Sequence, residues 1–367
     1  MSSSMSSLLP LALVALMGAS GCSDSTPQSG AGDTVEMGDA AGDSTAPSAT
    51  TPVYVTMVGH IESTPQWADC PNVYPEKRQQ LLAFAERFAA TGARMNLQID
   101  FPFFEGASLC ETPDMAIDYA GTDANNVVDF VAKHHGIEID PHRSGGYEAP
   151  GEPNYADVRQ IGGRVTERIT EIVGGLIYTD AAMFERLDQG EAGTLAATTM
   201  TWKPEVLSMA AAFEHHLGDF SDDDRTSGIW KPTGTGDDFY VHDDSKRMVY
   251  IGPGQQHADW NGTCKFQFAE PVDYIKVIQR YLDEGRIPAD RIYTVSIGVP
   301  QSVMFGNEEG QAYLERMIAA MKPLVEQGKV IHATYSEVLE AWETTYNAQP
   351  NQFSLDHIDP ADYTCPR

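Results

Sequence analysis

Basic residues are scarce in this chain. Its 367 residues hold 24 Lys and Arg against 53 Asp and Glu, a formal charge of −29. Binding nucleic acid takes clustered cations that neutralise phosphates, so no nucleic-acid partner is expected. The excess of acid keeps the protein soluble. Cysteine is sparse too, at five, and no Cys-x-x-Cys pair occurs, which argues against a zinc site built from thiolates. No apolar run reaches the length of a transmembrane helix, and no repeat of fixed period is found.

What is present begins with an apolar stretch, Leu8–Met17, after a polar Met1–Ser7. It has the length of a secretory signal core. Gly18-Ala-Ser-Gly21 leads directly into Cys22, and this junction resembles the lipobox of bacterial lipoproteins. Ala19 stands where Leu is commoner, and Met1–Ser7 carries no Lys or Arg; the other reading is an ordinary signal peptide. The resemblance implies cleavage before Cys22, lipidation of its thiol and attachment to a bilayer in the bacterial cell envelope. Residues 23–52 are nearly all Ser, Thr, Gly, Ala, Asp and Pro, too poor in apolar side chains to offset the entropy of ordering, so a disordered tether is expected there. With Cys22 given to lipid, Cys70, Cys110, Cys264 and Cys365 form an even set in an oxidising compartment, and two disulfides are expected. Three connectivities are open, with Cys70–Cys110 and Cys264–Cys365 preferred.

Residues 53–367 form the folded body. Strands are expected at Val53–Val58, Ala93–Ile99, Ile137–Ile139, Ile292–Ile297 and Val330–Ala333, from their β-branched and apolar runs. Helices are expected at Pro75–Ala90, Asn125–His135, Tyr155–Val173, Val272–Glu284, Gly310–Gln327 and Tyr335–Tyr346, where apolar residues recur at helical spacing. The middle is less regular, with short strands at Leu195–Trp202, Gly228–Trp230 and Met248–Ile251. This alternation points to an α/β fold, a (β/α) barrel of about seven parallel strands.

In such barrels functional groups gather where strands end. The first expected strand runs into Gly59-His60-Ile61-Glu62, the second into Asp100, and the third into Asp140-Pro-His142. Two imidazoles and a carboxylate at one mouth would make His60, Glu62 and His142 a ligand set for a divalent cation, with zinc the first expectation. Asp100 or Asp140 would serve as general base, and His332, in the last strand, as general acid. His242 and His257 are further ligand candidates. The His134-His135 and His215-His216 pairs, at expected helix ends, are not.

The order strand–His-x-Glu, helix, strand–Asp, helix, then His135-Gly-Ile-Glu-Ile-Asp-Pro-His142, resembles the polysaccharide deacetylase (NodB-homology) superfamily. Its members have a distorted (β/α) barrel and a metal held by two His and one carboxylate. The resemblance implies a metal role for His142 and a groove-lining role for Trp230, Lys231 and Pro232 in Gly228-Ile-Trp-Lys-Pro232. It also implies that His332 assists a leaving group. Two departures stand out. The family's Asp-Asp pair is replaced by Gly-His-Ile-Glu, closer to the His-x-Asp of related barrel glycosidases, and Gly146 stands where a second motif His is usual. The function implied is a surface-tethered, metal-dependent hydrolase that deacetylates an N-acetylated polysaccharide. The alternatives are a non-catalytic glycan-binding or scaffold lipoprotein and a barrel glycosidase.

Overall fold

The computed structural model describes residues 50–62, 65–143, 152–258 and 266–365. Cys22, the tether up to residue 49 and Cys264 lie outside the described residues, as do Tyr147 and Trp260, two aromatic residues the sequence offers for stacking on a sugar. In chain order the elements are β1 (Val53–Ile61), α1 (Tyr74–Ala90), β2 (Met95–Ile99), α2 (Phe101–Cys110), α3 (Val127–His134), β3 (Ile137–Pro141) and α4 (Tyr155–Val165). There follow β4 (Ile172–Gly174), α5 (Ala181–Gln189), β5 (Glu191–Ala192), β6 (Thr201–Trp202), β7 (Val206–Ser208), β8 (Thr226–Trp230) and β9 (Val249–Pro253). The last are α6 (Pro271–Asp283), β10 (Tyr293–Val299), α7 (Gln301–Met304), α8 (Glu308–Glu326), β11 (Val330–His332), α9 (Tyr335–Thr344) and β12 (Phe353–Ser354).

β1 is the axis of the first sheet. It pairs in parallel with β10 along one edge, and with β11 and then β2 along the other. β3 extends the sheet beyond β2, again in parallel. Val53–Gly59 is buried throughout, as expected of a strand covered on both faces. Leu81, Ala85 and Phe88 turn the apolar face of α1 into the same core. A disulfide joins Cys70 to Cys110, the last residue of α2. Cys365 is also disulfide-bonded.

The second sheet holds β4, β7 and β9 in parallel, with β8 antiparallel to β9 and β12 antiparallel to β8. The two sheets touch through isolated parallel bridges, Ile139 to Ile169 and His142 to Gly174. On the far side β10 meets β8 through hydroxyls: Thr294 N donates to Ser227 Oγ at 2.9 Å, and Gly228 N to Thr294 Oγ1 at 2.7 Å. The architecture is thus a mixed α/β fold with parallel strands. Among the described residues no backbone ladder closes it into the expected barrel. The antiparallel β8 stands where a parallel strand would complete the ring, and side chains bridge that seam instead.

The expected helix Tyr155–Val173 stops at Val165, and Ile172–Val173 belongs to β4. The Val165 carbonyl accepts from Asn126 Nδ2 at 2.8 Å, and Thr166 Oγ1 donates to buried Asp129 at 2.9 Å, so contacts from α3 end the helix. Of Leu195–Trp202 only Thr201–Trp202 is strand. Helix α2 was not expected, although Asp100 as its N-cap and Pro102 in its first turn are ordinary start signals.

Beneath α2 lies a buried ion pair. Arg78 Nε meets Glu111 Oε2 at 3.1 Å and its Nη1 meets Asp118 Oδ2 at 2.7 Å, with the guanidinium 4.8 Å above the Tyr119 ring. Glu111 Oε1 also accepts from Tyr74 and Tyr119 hydroxyls. Removing the cation strands a desolvated carboxylate, at a cost of about 3–5 kcal/mol. Arg78→Leu is therefore expected to lower unfolding free energy by that amount at pH 7. A urea midpoint matching the parent chain would refute the assignment.

Candidate metal centre

Parallel register aligns His60 with Gln98, and Gln98 with Asp140, so the ends of β1, β2 and β3 share one rim. Two residues beyond Asp140, His142 folds over the end of β1 and stacks on His60, with ring centroids 4.3 Å apart. Glu62 completes the set. Its Oε1 lies 3.5 Å from His60 Nδ1 and 3.8 Å from His142 Nε2. Trp67 Nε1 donates to the Glu62 carbonyl at 2.8 Å and Glu62 N donates to Gln301 Oε1 at 2.7 Å, so its backbone is held from both sides.

Two glycines make room for this crossing. A Cβ on Gly59 would sit 2.4 Å from Met95 Cε. One on Gly175, whose φ is +78°, would sit 2.6 Å from His142 Cε1. His142 Nδ1 is 3.2 Å from the Gly174 carbonyl, which can only accept, so Nδ1 carries the proton and Nε2 the lone pair. That Nε2 is buried without a hydrogen-bond partner among the described residues. A ring oriented through its far nitrogen, with the near lone pair unspent, is the posture of a metal ligand.

The protonation states agree. Burial, reinforced by the neighbouring His142, lowers the His60 pKa and favours the neutral ring, against the opposing pull of Glu62. The imidazoles of His142 and His60 hold the Glu62 carboxyl far below the usual carboxylate range. A neutral His60 ring and an ionised Glu62 carboxylate are the forms in which these groups bind a cation. Ligand atoms about 2.1 Å from a tetrahedral ion lie about 3.4 Å from one another. The observed spacings are close to this, so the residues fit a divalent cation.

The set opens into a cavity of about 540 Å³, walled also by Arg143, Met209, Phe220 and Gln256. Met209, just after β7, holds a φ of +53°, a costly conformation for a side-chain-bearing residue. His215 and His257 line the same cavity, and Asp223 stands between them. His257 was a candidate in the sequence; His215 was set aside as a helix-end residue, and Asp223 carried no signal at all.

Other expected residues lie elsewhere. Asp100 caps α2, accepting from Phe101 N at 2.6 Å, and is absent from the cavity wall. His332 pairs with Val55, five positions before His60, which places it about 16 Å down the sheet from the rim. Burial lowers its pKa to about 4, so it is neutral at pH 7. Trp230 is fully buried in the second sheet's core and donates to the Phe239 carbonyl at 2.6 Å. Lys231 and Pro232 follow it away from the cavity, with Lys231 N bonded to His242 Nδ1 at 3.0 Å. His242 is thereby spent.

No protein-family model and no curated protein matches the chain. Among solved structures it is similar to the 4-alpha-glucanotransferase of Thermococcus litoralis, with a TM-score of 0.43 and 11% identity over 83% of this chain. The chain spans 41% of that protein's length. It is also similar to a protein of Parabacteroides distasonis assigned as a glycoside hydrolase/deacetylase, with a TM-score of 0.41 and 13% identity over 80% of this chain and 72% of that one.

His142→Ala is expected to weaken Zn2+ binding by His60, Glu62 and residue 142 by at least about tenfold, read by equilibrium dialysis at pH 7.5; unchanged affinity would remove His142 as a ligand. A second expectation concerns His332. A folded-state pKa near 4, against about 6.5 unfolded, means the unfolded chain takes up a proton first, so stability is lost as pH falls from about 6.5 towards 4. His332→Gln should flatten the fall in urea midpoint over that window, and an equally steep fall would contradict the burial.

Proposed function

We propose that residues 53–367 form a metal-dependent hydrolase of glycans that deacetylates an N-acetylated polysaccharide, tethered through acyl chains on Cys22 to the bacterial envelope. The observation that carries the reading is the meeting of His60, Glu62 and His142 at the rim of a parallel sheet, with the His142 lone pair unspent. The choice of substrate rests on the likeness of His135–His142 to a deacetylase motif. When bound, a divalent ion, zinc in this reading, supplies Lewis acidity at the cavity. The protein supplies position: Gly174 orients His142, and Gln301 and Trp67 hold the Glu62 loop. Arg143 places a positive charge in the wall, suited to an acyl oxygen gaining negative charge. Phe220, 41% exposed, offers an apolar ring to a sugar face.

A second reading, glycan binding without catalysis, is favoured by one observation: the carboxylate expected from β2, Asp100, is engaged as a helix cap. Acetate release separates the two. The zinc-loaded protein is expected to free acetate from N-acetylglucosamine oligomers, and His142→Ala to lose about a hundredfold or more of that rate. Tight oligomer binding with neither acetate nor new reducing ends would establish the second reading; reducing ends without acetate would make the protein a glycosidase.

A further inference from the structure

His215, Asp223 and His257 come from three separate segments: the 3-10 turn Phe213–Leu217, the approach to β8, and the loop after β9. Asp223 presents one oxygen to each ring, Oδ1 to His215 Nδ1 and Oδ2 to His257 Nε2. The two rings are near parallel, 14° apart, with centroids separated by 6.4 Å. One nitrogen from each and a carboxylate oxygen all fall within 4.8 Å of one another.

The surroundings hold this arrangement in place. Asp223 pairs with Ala211 in an antiparallel bridge, which ties its loop to the chain just before His215. Gly298 N donates to the Gln256 carbonyl at 2.8 Å and anchors the residue before His257 to β10. Phe220 sets its edge against both imidazoles, and Phe266 stacks on His257 at 5.0 Å. The Asp223 side chain is 2% exposed, so its charge has little water to stabilise it, while each imidazole reaches the cavity. A desolvated carboxylate set between two imidazoles that both open onto the cavity is an arrangement that a cation stabilises.

We propose that His215, Asp223 and His257 form a second divalent-cation site in the same cavity. Two imidazoles and one carboxylate suit a first-row ion of the zinc type rather than magnesium or calcium, which prefer all-oxygen shells. The site shares no ligand with His60, Glu62 and His142. It therefore goes beyond the hydrolase reading and stands or falls by itself. Its consequence for that reading is two Lewis-acidic positions facing one oxygen-rich substrate.

The test is stoichiometry on the full chain, stripped with chelator and titrated with Zn2+ alone. Two equivalents are expected for the parent. One is expected for Asp223→Asn, for His257→Ala and for His142→Ala, and none for His142→Ala combined with His257→Ala. A single equivalent that survives Asp223→Asn and His257→Ala but is lost in His142→Ala would overturn the second site and leave the first. A single equivalent lost in Asp223→Asn and kept in His142→Ala would uphold the second site and remove the first. No bound zinc in the parent would remove both. Should Asp223→Asn fail to fold, X-ray absorption of zinc-loaded His142→Ala, in which the second set is intact, reads the donors directly. Two imidazole shells with a carboxylate oxygen support the site; their absence overturns it.

Discussion

Parallel pairing sends the carboxyl end of every strand of the first sheet to one rim, and the candidate centre depends on that single constraint. β1 lies between β10 and β2, and the register that matches His60 to Gln98 and Asp140 sets how far each strand projects. Only because the chain continues past Asp140 does His142 reach the His60 ring. A slip of one residue along β1 would turn His60 to the opposite face. The close contacts at Gly59 and Gly175 show how little slack the crossing has.

The layer under the centre is polar and cross-linked by side-chain hydrogen bonds. Asp140 is fully buried; burial, with the charge of Glu138, pushes its pKa up to about 8. It is bonded by Asn96 at 2.8 Å and Thr170 at 2.6 Å. Gln98, next to it, donates to Ser208 at 3.0 Å and so ties the first sheet to the second beneath the rim. This is why Asp140, proposed from the sequence as a base, is better understood as support. A chain so acidic keeps its interior stable by neutralising or pairing the acids it buries, as Arg78 does for Glu111.

The regular elements were legible because their signals are local. β1 begins at Val53 as expected and runs three residues further, to Ile61, and α1, α6 and α8 appear within a residue or two of their expected places. β4 was hidden, since Ile161, Val165, Ile169 and Ile172 match a helical stripe until Asn126 and Asp129 from another helix end α4. Trp230 was misjudged for a related reason. A Trp before Lys-Pro suits a groove, but β8 alternates its side chains, and register points this one inward beside Phe239 and Tyr250.

The amino-acid sequence alone determined the parallel α/β pattern, the strong net acidity, and the His-x-Glu at the first strand's end. Those features belong to short stretches of chain, where periodicity and composition act directly. Tertiary structure decided that His142 meets His60, that Asp100 caps a helix, that His332 lies far from the rim, and that Asp223 gathers two imidazoles from distant loops. Contacts between residues far apart along the chain depend on strand order and register, and no local pattern carries those.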